Sequence, residues 1–124
     1  MDPRFQEIAD ALTDYFDGIY EGDVTKLERV FLPEAHRYSA TEGEVVDWPL
    51  DRYKEVINGR EAPAKAGAKR YDRILSIDFS GTVTANVKVE LAVPPKYFTD
   101  FLTMLKVDGR WRIVSKTFDY VIHE

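Results

Sequence analysis

FTDFLTMLKVDGRWRIVSKTFDY, residues 98–120, reads as two long strands folded back on each other at Asp108-Gly109. Asp-Gly between β-rich runs is a strong hairpin signal, because both central residues of a type I′ turn need positive φ. Pro94-Pro95 breaks the chain just before this hairpin. Upstream, residues 83–91 alternate cleanly. Val83, Ala85, Val87, Val89 and Leu91 fall on one face, and Thr84, Asn86, Lys88 and Glu90 on the other. Period two with one polar face predicts an antiparallel sheet packed on one side only. Residues 71–79 read as another long strand, with Tyr71, Leu75, Ile77 and Phe79 as its apolar groups, and Ser80-Gly81 turns the chain after it.

The N-terminal half reads as helical. Asp2 can cap free N–H groups, and Pro3 suits a first helical turn because its missing N–H would have no partner there. Phe5, Ile8, Leu12, Phe16 and Ile19 are spaced three and four apart, with Tyr15 and Tyr20 at the flanks. That is one face of a long amphipathic helix. Gly22 can end it, and Asp23 can cap a short second helix over 24–31 that Pro33 stops. Residues 35–40 and 44–48 read as short strands around a turn at 41–43. Pro49 opens a third helix with Leu50, Tyr53, Val56 and Ile57 on one face, closed by Asn58-Gly59. Segment 60–69, REAPAKAGAK, is expected to be a mobile loop. Helices first and a strand meander after them is the α+β pattern, here as one domain over 1–124. The sheet must bury one face against the helices, leaving a conical space at one end where a small ligand could bind.

Composition removes several function classes. The 124 residues are 44% hydrophobic and 31% charged, with a formal net charge of -5. Such an acidic chain lacks the basic face that phosphate contacts need, so no nucleic-acid partner is expected. Lys65, Lys69, Arg70 and Arg73 form the only local basic cluster and read as a solvated strand edge. With no cysteine there is no disulfide framework and no thiolate nucleophile. His36 and His123 lie far apart without ligand spacing, so neither a metal site nor a cofactor is expected. MDPRFQEIAD lacks the basic and apolar regions of a secretory signal, and no apolar run approaches the about 20 residues of a bilayer span. No membrane partner is expected, and the cytoplasm is the default compartment.

Three segments carry a family resemblance: YFDGIYEGDVTKLERVFLPEA at 15–35, RILSIDFSGTVTANVKVEL at 73–91 and FTDFLTMLKVDGRWRIVSKTF at 98–118. Together they resemble the nuclear transport factor 2-like superfamily (cystatin-like fold), most closely its bacterial branches named for lumazine binding and SnoaL-like. The resemblance implies a curved antiparallel sheet wrapped around three helices, a conical pocket, and a homodimer formed through the outer sheet face. Superfamily members include isomerases, polyketide cyclases, dehydratases, transport adaptors and subunits without known activity, so fold alone does not assign function. Ketosteroid isomerase, a distant relative, uses a carboxylate base with a tyrosine and a protonated aspartate at the enolate oxygen. Tyr15 is a counterpart of the tyrosine. An ungapped alignment sets the base near Ser39 and the protonated aspartate near Thr103, and neither suits that work. The isomerase mechanism is therefore not expected.

Candidate site residues follow from the predicted elements. Tyr15 is either a core tyrosine or a hydroxyl aimed into the pocket. His36 and Arg37 are adjacent on a strand and face opposite ways. Members of the branch tend to carry an apolar residue where Arg37 stands. An inward Arg37 needs an anionic partner, from the protein or a ligand, and points to a carboxylate-bearing substrate. An inward His36 is instead a candidate general base. The third arrangement places both at the surface. Trp48, Tyr53 and Phe101 can line an apolar cavity with Tyr15 and Thr103, while Trp111 and Ile113 read as core. Asp78, Asp100 and Asp119 are expected on the outer face or at strand ends, and Lys88, Lys106, Arg112 and Lys116 on the outer face with Glu90.

Three functions compete. The leading one is a dimeric protein binding an apolar or aromatic small molecule through Tyr15, Arg37, Trp48, Tyr53, Phe101 and Thr103. The second is a cofactor-free lyase, isomerase or cyclase acting on a small carbonyl compound with His36 or Arg37 and Tyr15. The third is a protein-interaction module with a vestigial pocket.

Overall fold

A computed structural model describes residues 2–124. The chain runs α1 (Pro3–Glu21), α2 (Val24–Val30), β1 (Phe31–Ser39), β2 (Val46–Pro49), α3 (Leu50–Gly59), β3 (Asp72–Ser80), β4 (Thr84–Val93), β5 (Lys96–Val107) and β6 (Arg110–Ile122). The strands form one six-stranded sheet in the order β2-β1-β6-β5-β4-β3. Its ladders are antiparallel except for β1–β6, which is parallel, so the sheet is mixed rather than wholly antiparallel. Parallel neighbours need a long crossover. The whole of β2 through β5 lies between these two strands and supplies it.

Local signals account for most boundaries. The Asp2 carboxylate accepts the Arg4 N–H with Pro3 in the first turn, and Gly22 closes α1 at φ 69°. Asp23 accepts the N–H groups of Thr25 and Lys26 at the start of α2. Asp108 and Gly109 take φ 51° and 76°, the positive values a type I′ hairpin requires. The helix stripe buries Ile8, Leu12, Tyr15, Phe16 and Ile19 against the concave sheet face. Ala85, Val87, Val89 and Leu91 meet them from β4. No described helix is long and apolar enough to cross a membrane.

Three expectations are corrected. First, β1 begins at Phe31, directly after α2, and contains Pro33. A proline cannot donate to a ladder, and it falls where the β1–β6 register is irregular, between Phe31 and His36. Second, segment 60–69 is tethered to α1: Ala64 donates its N–H to the Tyr20 carbonyl at 2.9 Å, and the Tyr20 hydroxyl donates to the Ala68 carbonyl at 2.6 Å. Third, the faces of the last hairpin differ from the expected ones. Asp100, Leu102 and Met104 point inward and are fully buried, while Phe101 is 47% exposed and Thr103 lies on the outer face with it. In β6, Trp111 and Ile113 face the core, and then an extra residue, Val114, interrupts the pairing. Thr103 pairs with Ser115 and Met104 with Ile113. A bulge of this kind shifts the alternation by one. It turns Lys116 and Phe118 inward instead of leaving Lys116 on the outer face.

Candidate active site

The inward turn of Asp100 and Lys116 builds a polar cluster inside an apolar core. Asp100 and Lys116 are the only buried charged residues among those described. From α1, the Tyr15 hydroxyl donates a hydrogen bond to Asp100 Oδ2. Lys116 Nζ lies 3.8 Å from the same oxygen and donates to the Tyr53 hydroxyl of α3 at 2.9 Å. The ammonium is also surrounded by aromatic faces, with the ring centres of Tyr53, Tyr15 and Phe118 at 4.7, 5.2 and 5.3 Å. Asp100 Oδ1 is buried and has no partner.

Burial raises the Asp100 pKa against the opposing pull of Lys116, Tyr15 and Arg37. Burial and the Asp100 charge together push the Tyr15 phenol well above its ordinary range. Tyr15 therefore stays protonated at neutral pH and donates its hydrogen bond, and Asp100 is a more basic carboxylate than an exposed one.

Arg37 faces the interior. Its guanidinium carbon is 3.9 Å from the Trp48 ring centre, 4.3 Å from Phe118 and 5.5 Å from Tyr53. Its Nε is buried without a hydrogen-bond partner, and Arg37 forms no ion pair among the described residues. His36 faces the other way, with Nδ1 2.6 Å from Asp47 Oδ1 and its ring stacked on Tyr38. Of the two registers considered for this pair, the strand adopts the one that turns Arg37 inward.

Next to the cluster is a cavity of about 10 Å³, lined by Ile19, Arg37, Tyr53, Arg60, Leu91, Val93, Phe98 and Lys116. That is room for about one water. A cleft of about 120 Å³ opens on the other side of Arg37, with Trp48, Lys96 and Tyr120 in its walls. A larger groove of about 510 Å³ runs past Tyr38–Thr41 and Thr117–Asp119. Its carboxylate, Asp119, accepts from the Thr41 hydroxyl at 2.5 Å. The reactive groups thus collect around the smallest of these spaces.

Of the residues expected at a site, Tyr15, Arg37 and Tyr53 come together, and Trp48 meets them through Arg37. Phe101 and Thr103 are on the far side of the sheet, and His36 is at its surface. The reading of the sequence missed Asp100 and Lys116. Asp100, not Thr103, is the acidic group beside Tyr15. Leu102 and Met104 carried the available signal, since turning that apolar pair inward brings Asp100 with it by period two.

Comparison with known proteins agrees with this architecture. A curated relative, the aldolase FrzH of Cladobotryum sp, is 26% identical over 104 residues, covering 84% of this chain and 81% of its own. An NTF-2-like protein of unknown function from Silicibacter pomeroyi is 29% identical with a TM-score of 0.83, covering 97% of this chain and 96% of its own. An NTF2-like protein of unknown function from Shewanella baltica superposes with a TM-score of 0.86 at 24% identity, over 97% and 95% of the two chains. The family model described as "Putative lumazine-binding" matches residues 3–119. The chain therefore belongs to that family, within the nuclear transport factor 2-like superfamily.

Proposed function

We propose that the protein is a cofactor-free enzyme that enolises a small carbonyl compound, as in aldol-type lyase, isomerase or cyclase chemistry. One observation carries this reading: Tyr15, Asp100, Lys116 and Tyr53 form a connected polar cluster in the core, beside a cavity that Tyr53 and Lys116 line. An apolar filling would be cheaper than a desolvated ion pair in a pocket that had lost its use. The aldolase name of the curated relative supports the same class.

In the proposed step, Tyr53, held by the Lys116 ammonium, donates to the substrate carbonyl oxygen. Asp100 stands behind Lys116 rather than in the cavity wall, so in this step the Lys116 side chain draws aside and Asp100 accepts a proton from the neighbouring carbon. The C–H electrons become the enolate C=C bond, and the carbonyl π electrons move to oxygen, where Tyr53 and Lys116 stabilise the charge. Asp100 suits the acceptor role because burial makes it more basic and Oδ1 is free. Tyr15 positions it through Oδ2. The enolate then adds to a carbonyl, expels a leaving group or is reprotonated, according to the substrate.

Deuterium exchange in D2O tests this without knowledge of the product. Pyruvate, hydroxyacetone and acetone serve as probes, read by proton NMR. Protein-dependent loss of the α-proton signal is expected with at least one probe and is expected to vanish in Asp100→Asn and Lys116→Met. Exchange that survives both changes would remove the cluster from the chemistry. The small cavity favours a second reading, an interaction module with a closed interior. Absence of exchange and of binding with every probe would leave that reading in place. The homodimer through the outer sheet face and the cytoplasmic location remain parts of the proposal, resting on the resemblance and the composition.

A further inference from the structure

We infer that the interior cavity is a carboxylate-binding site, so that the substrate is a short oxo acid held through its carboxylate by Arg37 and Arg60. This deepens the enolising reading and rests on it. In a chain of net charge -5, the cavity wall carries three cations, Arg37, Arg60 and Lys116, and no carboxylate. Asp100 stands behind Lys116 and is engaged there by Tyr15. Neither Arg37 nor Arg60 forms an ion pair among the described residues, and the buried Nε of Arg37 has no acceptor. Lys116 has Asp100 as its counter-ion, but Arg37 and Arg60 have none in the wall, and like charges beside one small space repel, with burial adding to the cost. Burial lowers the Arg37 pKa, with a smaller push the same way from Arg60, against the opposing pull of Tyr53, Tyr15 and Asp100. An anion in the cavity relieves both.

The shape of the site selects the anion. Stacking on Trp48 and Phe118 uses the faces of the Arg37 guanidinium and fixes its plane. The N–H edge remains, and its fork matches a planar carboxylate. Ile19, Leu91, Val93 and Phe98 complete the wall with apolar surface, and because the space of about 10 Å³ holds about one water, the acid must displace that water and move the Arg60 side chain outward to enter. Arg37 and Lys116 approach the same Tyr53 ring, at 5.5 and 4.7 Å from its centre. A carboxylate on the first and a carbonyl oxygen near the second are thus separated by only a few bonds.

The test is thermal-shift and titration measurements with pyruvate and levulinate against pyruvamide and levulinamide, at constant ionic strength, with inorganic phosphate as a further probe. The acids are expected to raise the melting temperature and the amides to leave it unchanged. In Arg37→Met the affinity for the acids is expected to fall by about tenfold to a hundredfold, the range for losing one charge-assisted pair. Its melting temperature without ligand is expected to stay level or rise, because an unneutralised cation is gone. If Arg37→Met fails to fold, Arg60→Met must show the same loss of acid binding. Equal shifts by acid and amide, an equal shift by phosphate, no shift by either acid, or acid binding unchanged in the folded variants would each overturn the inference. Deuterium exchange together with equal acid and amide binding would retain the enzyme and discard the oxo acid. Acid binding without exchange would do the reverse.

Discussion

Asp100 and Lys116 lie 3.8 Å apart in the core, where either charge alone would be desolvated without compensation. Removing one partner of a buried pair commonly costs about 3–5 kcal/mol, while replacing both by apolar groups is often neutral or stabilising. Lys116→Met is therefore expected to destabilise the fold by about 3 kcal/mol in urea denaturation. The double variant Asp100→Leu/Lys116→Met is expected to recover most of that loss. Simple addition of the two single losses would show that they do not act as a pair. The pH profile gives a separate check. Burial raises the Asp100 pKa above its ordinary 3.8, so the folded state holds this proton more tightly than the unfolded chain. Its contribution is most favourable below that ordinary value and declines as pH rises through the raised folded one. Asp100→Asn should remove this decline, and an unchanged profile would mean that Asp100 is not its source. Helix spacing put Tyr15 and Tyr53 on or beside inward faces, whereas strand adjacency told only that His36 and Arg37 face opposite ways and not which of them turns inward. Lys116 was not legible, because nothing in RIVSKTF marks Val114 as the extra residue that reverses the faces.

A close contact joins the two N-terminal helices. Gly18 in α1 faces Leu27 in α2, and a Cβ added there would stand 2.7 Å from Leu27 Cδ2 and 3.1 Å from the Asp23 carbonyl oxygen. Leu27 is fully buried. Gly18→Ala gains helix propensity of about 1 kcal/mol, against an overpacking cost of about 1–3 kcal/mol. A net loss of about 1 kcal/mol, seen as a lower urea midpoint, is expected. A higher midpoint would show that α2 can shift away. At this scale the chain was largely readable. The caps at Asp2 and Asp23, the αL closure at Gly22 and the Asp108-Gly109 turn are local devices, written in adjacent residues. The entry into β1 was not, because Pro33 suggested a break where the structure absorbs it in an irregular register. The parallel pairing of β1 with β6 joins residues too far apart in sequence for any local signal.

For the whole molecule, the concave sheet face is filled by helices, and the convex face of β3–β6 is left without a covering layer. Four strands of 9 to 13 residues present a face of roughly 600 Å² in projection at strand spacings of about 4.8 Å and rises of about 3.3 Å. That approaches the roughly 800 Å² that each partner contributes to a standard interface. Phe101 stands on this face, 47% exposed, flanked in the ladders by Lys88 and Thr117. A half-exposed aromatic within a charged surround fits the centre of an interface with a polar rim. The proposed homodimer therefore depends on Phe101, while the fold does not. Phe101→Asp is expected to leave the circular dichroism spectrum and the core unchanged and to convert a two-chain mass into a one-chain mass in light scattering. A wild-type chain that is monomeric at micromolar concentrations would end the proposal outright. A Phe101→Asp variant that stays dimeric would move the interface to another face of the molecule, and the polar cluster around Asp100 would be unaffected in either case because it lies on the opposite side of the sheet.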